Sequence, residues 1–573
     1  MSIRIWNARL RLNKGGEILE IRVEINNWQY NAGVVGLYNI LENSKSPSLR
    51  VDSEAIYFDS KELENFEEKY FNYLIKVYEK TLSWYKITSF SNRLEYFKNK
   101  EIDEKDLAEI NDYIKEVLKK YLKSNSYVAA YDFISGDIDP IEEEKNLKTI
   151  TLKKKEKIED RLEEIKETLN KIEKIIEYFN SPNGKKYICG KNLIYNIIKN
   201  GWDKVSIRNP QTKKKDIFKE FKNYFVTPAN EYIESDKKKY KYNCFVCNRE
   251  IKTLNDNFSF LVNTGFDVAR KPSHVWNFVN DIAMCPICKL IYSCIPVGFS
   301  YVYGTGIFIN ANTNISELIR INSKIKEDIY GETSLAGIYK ILNRELQKDM
   351  EYELEDIQLV RFENEKYYFN ILSKNMIKVI IRSQNDIQLL ESITYKFNGE
   401  SYSLIDEITK RLLNNENLFN LIHRIIYSKV AGDSIYLYSY AIFATIKINF
   451  RMLKGIGYMK DKKMNILSKA REAGKTLKEK YKAKGSEHKL PGICYRLLNG
   501  IKTNNASMTM DTILNCYLYC DENFPEILLE MMRSEEEFKE LGYSFISGLL
   551  AKDDKDKKEN KDSEDNKTEG GEE

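Results

Sequence analysis

Cys244-Phe-Val-Cys247, answered after 37 intervening residues by Cys285-Pro-Ile-Cys288, decides how the rest of the sequence reads. Each C-x-x-C is a tight turn that can point two sulfurs at one metal. Four thiolates in tetrahedral geometry are what a structural zinc ion requires. The interval exceeds the usual run of about 15–20 residues between such pairs. It therefore predicts a ribbon whose two knuckles are brought together by an inserted excursion. Ligation by Cys244, Cys247, Cys285 and Cys288 would leave no position open for water, which points to one structural zinc rather than a catalytic one. A disulfide framework is the competing reading. The paired spacing and the intracellular character of the remaining sequence favour zinc.

At 573 residues the chain is long enough for two to four domains with hydrophobic cores of their own. Hydrophobic residues at 42% and charged residues at 31% describe a soluble globular protein. The start, Met1-Ser-Ile-Arg-Ile-Trp-Asn7, lacks the basic-then-apolar plan of a signal peptide. Leu290–Ser316 carries no charge over 27 residues, long enough for a membrane span. Pro296, Gly298, Gly304, Gly306 and the alternation of its second half make it buried sheet instead. The five cysteines outside the knuckles are scattered and expected to be reduced, which places the protein in the cytoplasm with no membrane partner. The tail after Ala551 carries six Lys against ten acids, so the net +4 of the whole chain conceals a body of +8.

In chain order, Ile3–Leu10 and Ile18–Ile25 around Asn13-Lys-Gly-Gly16 predict a hairpin. In Asn27-Trp-Gln-Tyr-Asn-Ala-Gly-Val-Val-Gly36, small residues at Ala32, Gly33 and Gly36 open a helix. Their spacing permits close approach of a phosphate at its N-terminus, or equally of another backbone in tight helix–sheet packing. Lys61–Lys80 and 104–124 are amphipathic helices. Ile158, Leu162, Ile165, Leu169, Ile172 and Ile176 form a seam that fits a short antiparallel coil or a helix laid on the body. Lys204–Lys241 holds eleven Lys and Arg against five acids, with Phe218, Phe221, Tyr224 and Phe225 interleaved. Such a pattern suits a nucleic-acid backbone with stacking bases; biased genome composition and a charged surface helix explain it equally. Residues 357–363 and 366–372 predict a hairpin turning on Glu363-Asn-Glu365. From residue 403 onward the pattern is helical.

Arg451–Lys489 holds thirteen Lys and Arg against four acids, the strongest basic strip in the chain. It suits a sugar–phosphate backbone, with a solvated lysine-rich helix as the alternative. Gly474-Lys-Thr476 lacks the upstream glycine of a phosphate loop, because Lys469 occupies that position. Of three histidines, His274 lies between the knuckles, where four cysteines already satisfy a metal. His423 falls on an apolar helix as a core residue. No nucleophile, dinucleotide or metal-nuclease motif is present, which favours a binding protein over an enzyme.

Three stretches together resemble one family. They are Asn27–Gly36; Cys285-Pro-Ile-Cys-Lys-Leu-Ile-Tyr-Ser-Cys-Ile-Pro-Val-Gly-Phe299; and Tyr495-Arg-Leu-Leu-Asn-Gly-Ile-Lys502 with Met510-Asp-Thr and Leu541-Gly-Tyr-Ser-Phe545. This combination resembles the large subunit of the type I-B CRISPR surveillance complex (Cascade), in its Tneap-subtype, zinc-finger-bearing Cas-eight branch. The resemblance implies a non-catalytic subunit near the 5′ handle of the crRNA that helps recognise the protospacer-adjacent motif and bind target double-stranded DNA. It also implies backbone, handle-binding and small subunits as partners, with cleavage left to a recruited helicase–nuclease. In such systems guide pairing reads sequence while protein reads a short duplex motif and backbone shape. A C-terminal bundle like the small subunit follows, with Met452, Met459 and Met464 as conceivable internal starts.

The resemblance does not supply nucleic-acid contacts residue by residue. On physical grounds they are expected at Lys213, Lys214 and Lys215, at Lys469, Arg471, Lys475 and Lys478, and at Asn27, Asn31 and Gly33. The expected fold is α+β. A mixed α/β domain spans 1–240 with a charged helical insert near 142–180. The zinc ribbon spans 241–300, the α/β body continues over 301–402, an all-helical bundle covers 403–550, and 551–573 is a disordered charged tail. The alternative function is a nuclease or RNA-processing enzyme of the same defence system in which zinc is structural; a zinc-stabilised scaffold without nucleic-acid contact is the blandest reading.

Overall fold

The computed structural model describes residues 19–153, 156–203, 205–208, 216–262, 282–302, 304–311, 314–328, 357–434, 437–459 and 462–551. They form a mixed α+β protein, mostly helical with small sheets. The chain divides into two compact units, Met1–Ser323 with Val360–Phe369, and Lys324–Leu359 with Asn370–Glu573.

In the first unit, β1 (Glu20–Glu24) buries Ile21 and Val23 and leads into α1 (Trp28–Asn43). Asn27 caps that helix by accepting from Tyr30 N at 3.0 Å, so one of the orphan amides of the first turn is satisfied. β2 (Arg50–Val51) and β3 (Ala55–Asp59) complete a sheet of order β1-β3-β2, with Ile21 opposite Phe58 and Val23 opposite Ile56. The expected hairpin partner of β1, Ile3–Leu10, lies outside the described residues; the described partner is β3. Along Lys61–Lys80 the helix proper is α2 (Phe66–Tyr78), because Asn65 at φ 51° interrupts it after a short 3-10 turn. The seam residues from Leu162 onward fall on α3 (Leu162–Asn180), with Ile165, Leu169, Ile172 and Ile176 buried, while Ile158 opens the 3-10 segment Ile158–Arg161 before it. It is a helix laid on the body, fixed in part by Trp84 Nε1 donating to Phe179 O at 2.8 Å. α4 (Pro182–Asn196) follows, with Pro182 in its first turn.

The aromatic residues of the basic segment turn inward. Phe218, Phe221 and Phe225 are buried. Phe221 packs on Tyr70 at 4.6 Å between ring centroids and Phe225 on Trp202 at 5.3 Å. These rings form core rather than a stacking platform. Beyond them lie the short strands β4 (Tyr242–Asn243) and β5 (Glu250–Ile251). Most described residues of the charge-free run are buried, but its first half is helical, not sheet: α5 (Pro286–Ser293) and α6 (Ile295–Gly298) precede β6 (Ser300–Val302) and β7 (Thr305–Asn310). Pro286 sits in the first turn of α5, where its missing N–H costs nothing. No helix among the described residues is long and apolar enough to cross a membrane. β8 (Ile357–Glu363) and β9 (Lys366–Leu372) extend a sheet of order β6-β7-β8-β9. Their turn uses Asn364 and Glu365, both left-handed at φ 49° and 61°, as a two-residue hairpin requires.

In the second unit a further hairpin, β10 (Thr394–Phe397) and β11 (Glu400–Ser403), turns on Asn398-Gly399. Helices follow throughout: Leu404–Leu413, Phe419–Ala431, α7 (Ser439–Gly455), α8 (Asn465–Ala483), α9 (Leu490–Lys502), α10 (Ala506–Cys520) and α11 (Glu535–Leu549). Within this stretch, expected to be helical from residue 403 onward, Glu526–Met532 is a 3-10 segment. Helices α8 and α11 cross with their backbones in contact, because a Cβ on Gly474 would run into the Phe545 carbonyl and one on Gly548 into that of Arg471. Gly500 lies against Thr509 and Gly542 against Ile501. The C-terminal motif residues thus belong to one packed cluster of α9, α10 and α11.

Candidate metal centre

The first knuckle extends the β4–β5 hairpin. Tyr242 faces Ile251 and Asn243 faces Glu250; Cys244 N then donates to Arg249 O at 2.7 Å and Asn248 N to Cys244 O at 2.8 Å. Asn248 takes φ 56°, which closes the turn. The second knuckle is built on the start of α5, where Cys285 is the N-cap and its sulfur accepts from Cys288 N at 3.4 Å. The ribbon therefore resolves into one hairpin knuckle and one helix-start knuckle. Phe245 N donates to Ala283 O at 2.8 Å, and Cys285 N to Cys244 Sγ at 3.1 Å, joining the two.

All four sulfurs lie within 4.8 Å of one another, and those of Cys247 and Cys285 are 3.6 Å apart. A tetrahedron of metal–sulfur bonds near 2.3 Å has sulfur–sulfur edges of about 3.8 Å. A disulfide needs about 2.05 Å, and all nine cysteines are free thiols. The set fits a metal ion. Cys244, Cys285 and Cys288 are buried and Cys247 is partly exposed. Burial pushes the Cys285 thiol well above its ordinary value, so ionising the set calls for cations among the sulfurs. Arg249 supplies one. Burial opposes its charge, but Cys247, Cys285 and Cys288 outweigh that and hold its pKa above the ordinary value. Arg249 Nη2 also donates to Arg22 O at 2.9 Å, tying the knuckle to β1.

Helix α1 closes the other side. The Tyr30 hydroxyl is 3.9 Å from Cys288 Sγ, and its ring meets Tyr292 edge-on at 5.4 Å. Asn27 Nδ2 donates to the Tyr292 hydroxyl at 3.1 Å and Asn26 Nδ2 to Val246 O at 3.1 Å. Cβ atoms on Gly33 and Gly36 would strike the carbonyls of Ile291 and Cys294, and one on Gly298 that of Ala32. The small residues of Asn27–Gly36 thus admit a backbone, and that backbone is the helical run following the second knuckle, not a sheet. Two separate sequence motifs are one packed object.

The other expected contact residues are dispersed. Gly33 is buried, and Asn31 is buried with Nδ2 donating to Asn310 Oδ1 at 2.8 Å and Oδ1 accepting from Asn26 N at 2.6 Å. Asn27 is exposed, but its side chain is engaged in the cap and with Tyr292. Lys213, Lys214, Lys215 and His274 lie outside the described residues. On α8, Lys469 is exposed, Lys475 and Lys478 are half-buried, and the Lys478 ammonium donates to Ala551 O. Arg471 is 5% exposed, with its guanidinium 4.6 Å from the Phe443 ring centroid. Carboxylates neutralise part of the strip: Lys462 pairs with Glu530 at 2.5 Å and Glu537 at 3.2 Å, and Lys480 with Glu522 at 2.5 Å. His423 is half-buried on its apolar helix, where burial lowers its pKa to about 4. Sequence reasoning missed Tyr30, Arg249 and Tyr292 as neighbours of the sulfurs, because no spacing rule links α1 to the knuckles.

Residues 237–300, spanning both knuckles, match the model of a family described as CRISPR-associated protein (Cas_CXXC_CXXC). No curated protein and no solved structure matches the chain. The family match supports a CRISPR-associated protein with a role in CRISPR defence.

Proposed function

We propose that the chain is the non-catalytic large subunit of a type I-B RNA-guided surveillance complex, of the Tneap branch, stabilised by one structural zinc. The observation that carries this reading is the family match over the one region where four thiols converge. Four sulfurs fill a tetrahedral ion's coordination shell, so the metal would supply rigidity rather than an activated water. Cys244, Cys247, Cys285 and Cys288 would hold it, with Arg249 offsetting part of the thiolate charge. In this reading the subunit works beside the crRNA handle and the backbone, handle-binding and small subunits. It helps read the protospacer-adjacent motif and grips target DNA, and a recruited helicase–nuclease does the cutting.

Lys469, Lys475 and Lys478 on α8, together with Lys213–Lys215, are the proposed phosphate contacts; Arg471, Asn31 and Gly33 support packing. The test is incubation of the purified chain with labelled DNA and RNA, with and without magnesium. Binding that weakens steeply with salt and leaves the strands intact is expected. Magnesium-dependent cutting would instead favour a zinc-stabilised nuclease or RNA-processing enzyme.

A further inference from the structure

The first knuckle carries a side chain that a metal does not need. Phe245, between its two cysteines, is 65% exposed, and Tyr242 on β4 is 43% exposed. The neighbouring Val246 packs against the core. Phe245 is held rather than loose. Its amide donates to Ala283 O, and its ring stands perpendicular to Phe258 at 6.2 Å, which stands edge-on to Tyr292 at 5.3 Å. A ring pinned this way loses little side-chain entropy when something stacks on it.

The surroundings specify what would stack. Residues 237–252 contain six Lys and Arg against one acid, Glu250. Lys238, Lys239, Lys241 and Lys252 are exposed, and no described carboxylate pairs with them. Lys241 is at most about 14 Å of extended chain from Phe245. An exposed aromatic face at the tip of a hairpin whose approaching chain carries exposed cations fits a polyanion with open π faces. Bases within a duplex are already stacked on their neighbours, whereas those of a single strand are free.

We propose that the tip of the first knuckle binds single-stranded nucleic acid, one base stacking on Phe245 while Lys238, Lys239 and Lys241 hold the adjoining phosphates. This site is additional to the α8 strip, and it depends on the CRISPR reading only for where such a strand comes from. The test is fluorescence anisotropy of the full chain with labelled oligothymidylate and, separately, oligouridylate, across a salt series. The two oligomers distinguish a DNA strand from an RNA strand as the source. Phe245→Ala is expected to weaken binding about tenfold at every salt concentration, and Phe245→Trp to preserve it. Exchanging Lys238, Lys239 and Lys241 for Gln is expected to lower the slope of log affinity against log salt by about 2. Melting temperature and metal content report whether each variant is folded. The proposal is overturned if Phe245→Ala binds like the parent chain, if the parent binds neither oligomer, or if the loss simply follows loss of metal. Failure of the surveillance-complex reading looks different: magnesium-dependent cutting, or purification without a guide RNA, with Phe245-dependent binding intact.

Discussion

Replacing Gly298 with Ala probes whether α1 and the post-knuckle helices are joined as tightly as their backbones imply. A Cβ at this position would stand 2.8 Å from the Ala32 carbonyl carbon and 3.2 Å from its Cα, with the carbonyl oxygen nearer still. Carbon atoms in contact prefer about 3.5–4.0 Å, so the helices must part by about 1 Å. Both contacting segments are helical backbone, which cannot yield locally as a flexible side chain could. The cost should lie at the upper end of overpacking, about 3 kcal/mol, or about 4 °C in melting temperature for a unit of this size. Parting α1 also draws Tyr30 and Asn27 away from the knuckles, so a chelator should strip the metal faster. Gly492→Ala is the control. It sits exposed near the start of α9 with nothing within 4 Å of the new Cβ, and should be neutral or slightly stabilising. The readout is thermal unfolding combined with chelator-release kinetics. If Gly298→Ala melts with the parent and keeps its metal equally long, the tight seam is wrong.

Exchanging Cys285 and Cys288 for Ser should abolish metal binding by elemental analysis and cost solubility or assembly, because both sulfurs sit at the joint between hairpin and helix; normal assembly would show that the centre is not organising. Glu540 is fully buried, accepts from Asn449 Nδ2, and burial raises its pKa to about 8. The unfolded chain releases this proton near pH 4.5 while the folded chain keeps it until about 8, so stability is lost as pH rises between those values. Glu540→Gln should therefore stabilise by about 3 kcal/mol at pH 7 and by almost nothing at pH 4, measured by denaturant unfolding. Changing Lys469, Lys475 and Lys478 to Gln should weaken binding to duplexes of any sequence and flatten the salt dependence by about 1 to 3 in slope; an unchanged slope would remove the strip from the proposed interface.

Local chemistry was the legible part of this sequence. The four cysteines converge because each pair is its own turn, and the β8–β9 hairpin forms where Asn364 and Glu365 tolerate left-handed backbone. What local pattern cannot encode is the partner. β1 is half of a strand pair whose other half comes from residues 55–59. The aromatic rings of the basic segment look ready to stack on bases until Trp202, Tyr70 and Phe71 are found against them. Similarly, Lys480 reads as a free cation until Glu522 arrives from the loop that follows α10. The helical character of Pro286–Gly298 was written in Cys285-Pro286, an N-cap followed by a first-turn proline, but an uncharged run gives no periodicity to distinguish helix from strand. Gly33 and Gly36 showed that something comes close; only the fold says that it is the helical run carrying Gly298.

A subunit of a surveillance complex is identified by the company it keeps. It should be expressed with its neighbouring genes and a repeat array, purified through a tag on this subunit alone, and the bound nucleic acid and protein identified. A backbone multimer and a short RNA of uniform length, with one zinc per copy of this chain, are the predicted result. A chain that purifies alone, free of RNA, or with random-length nucleic acid contradicts it.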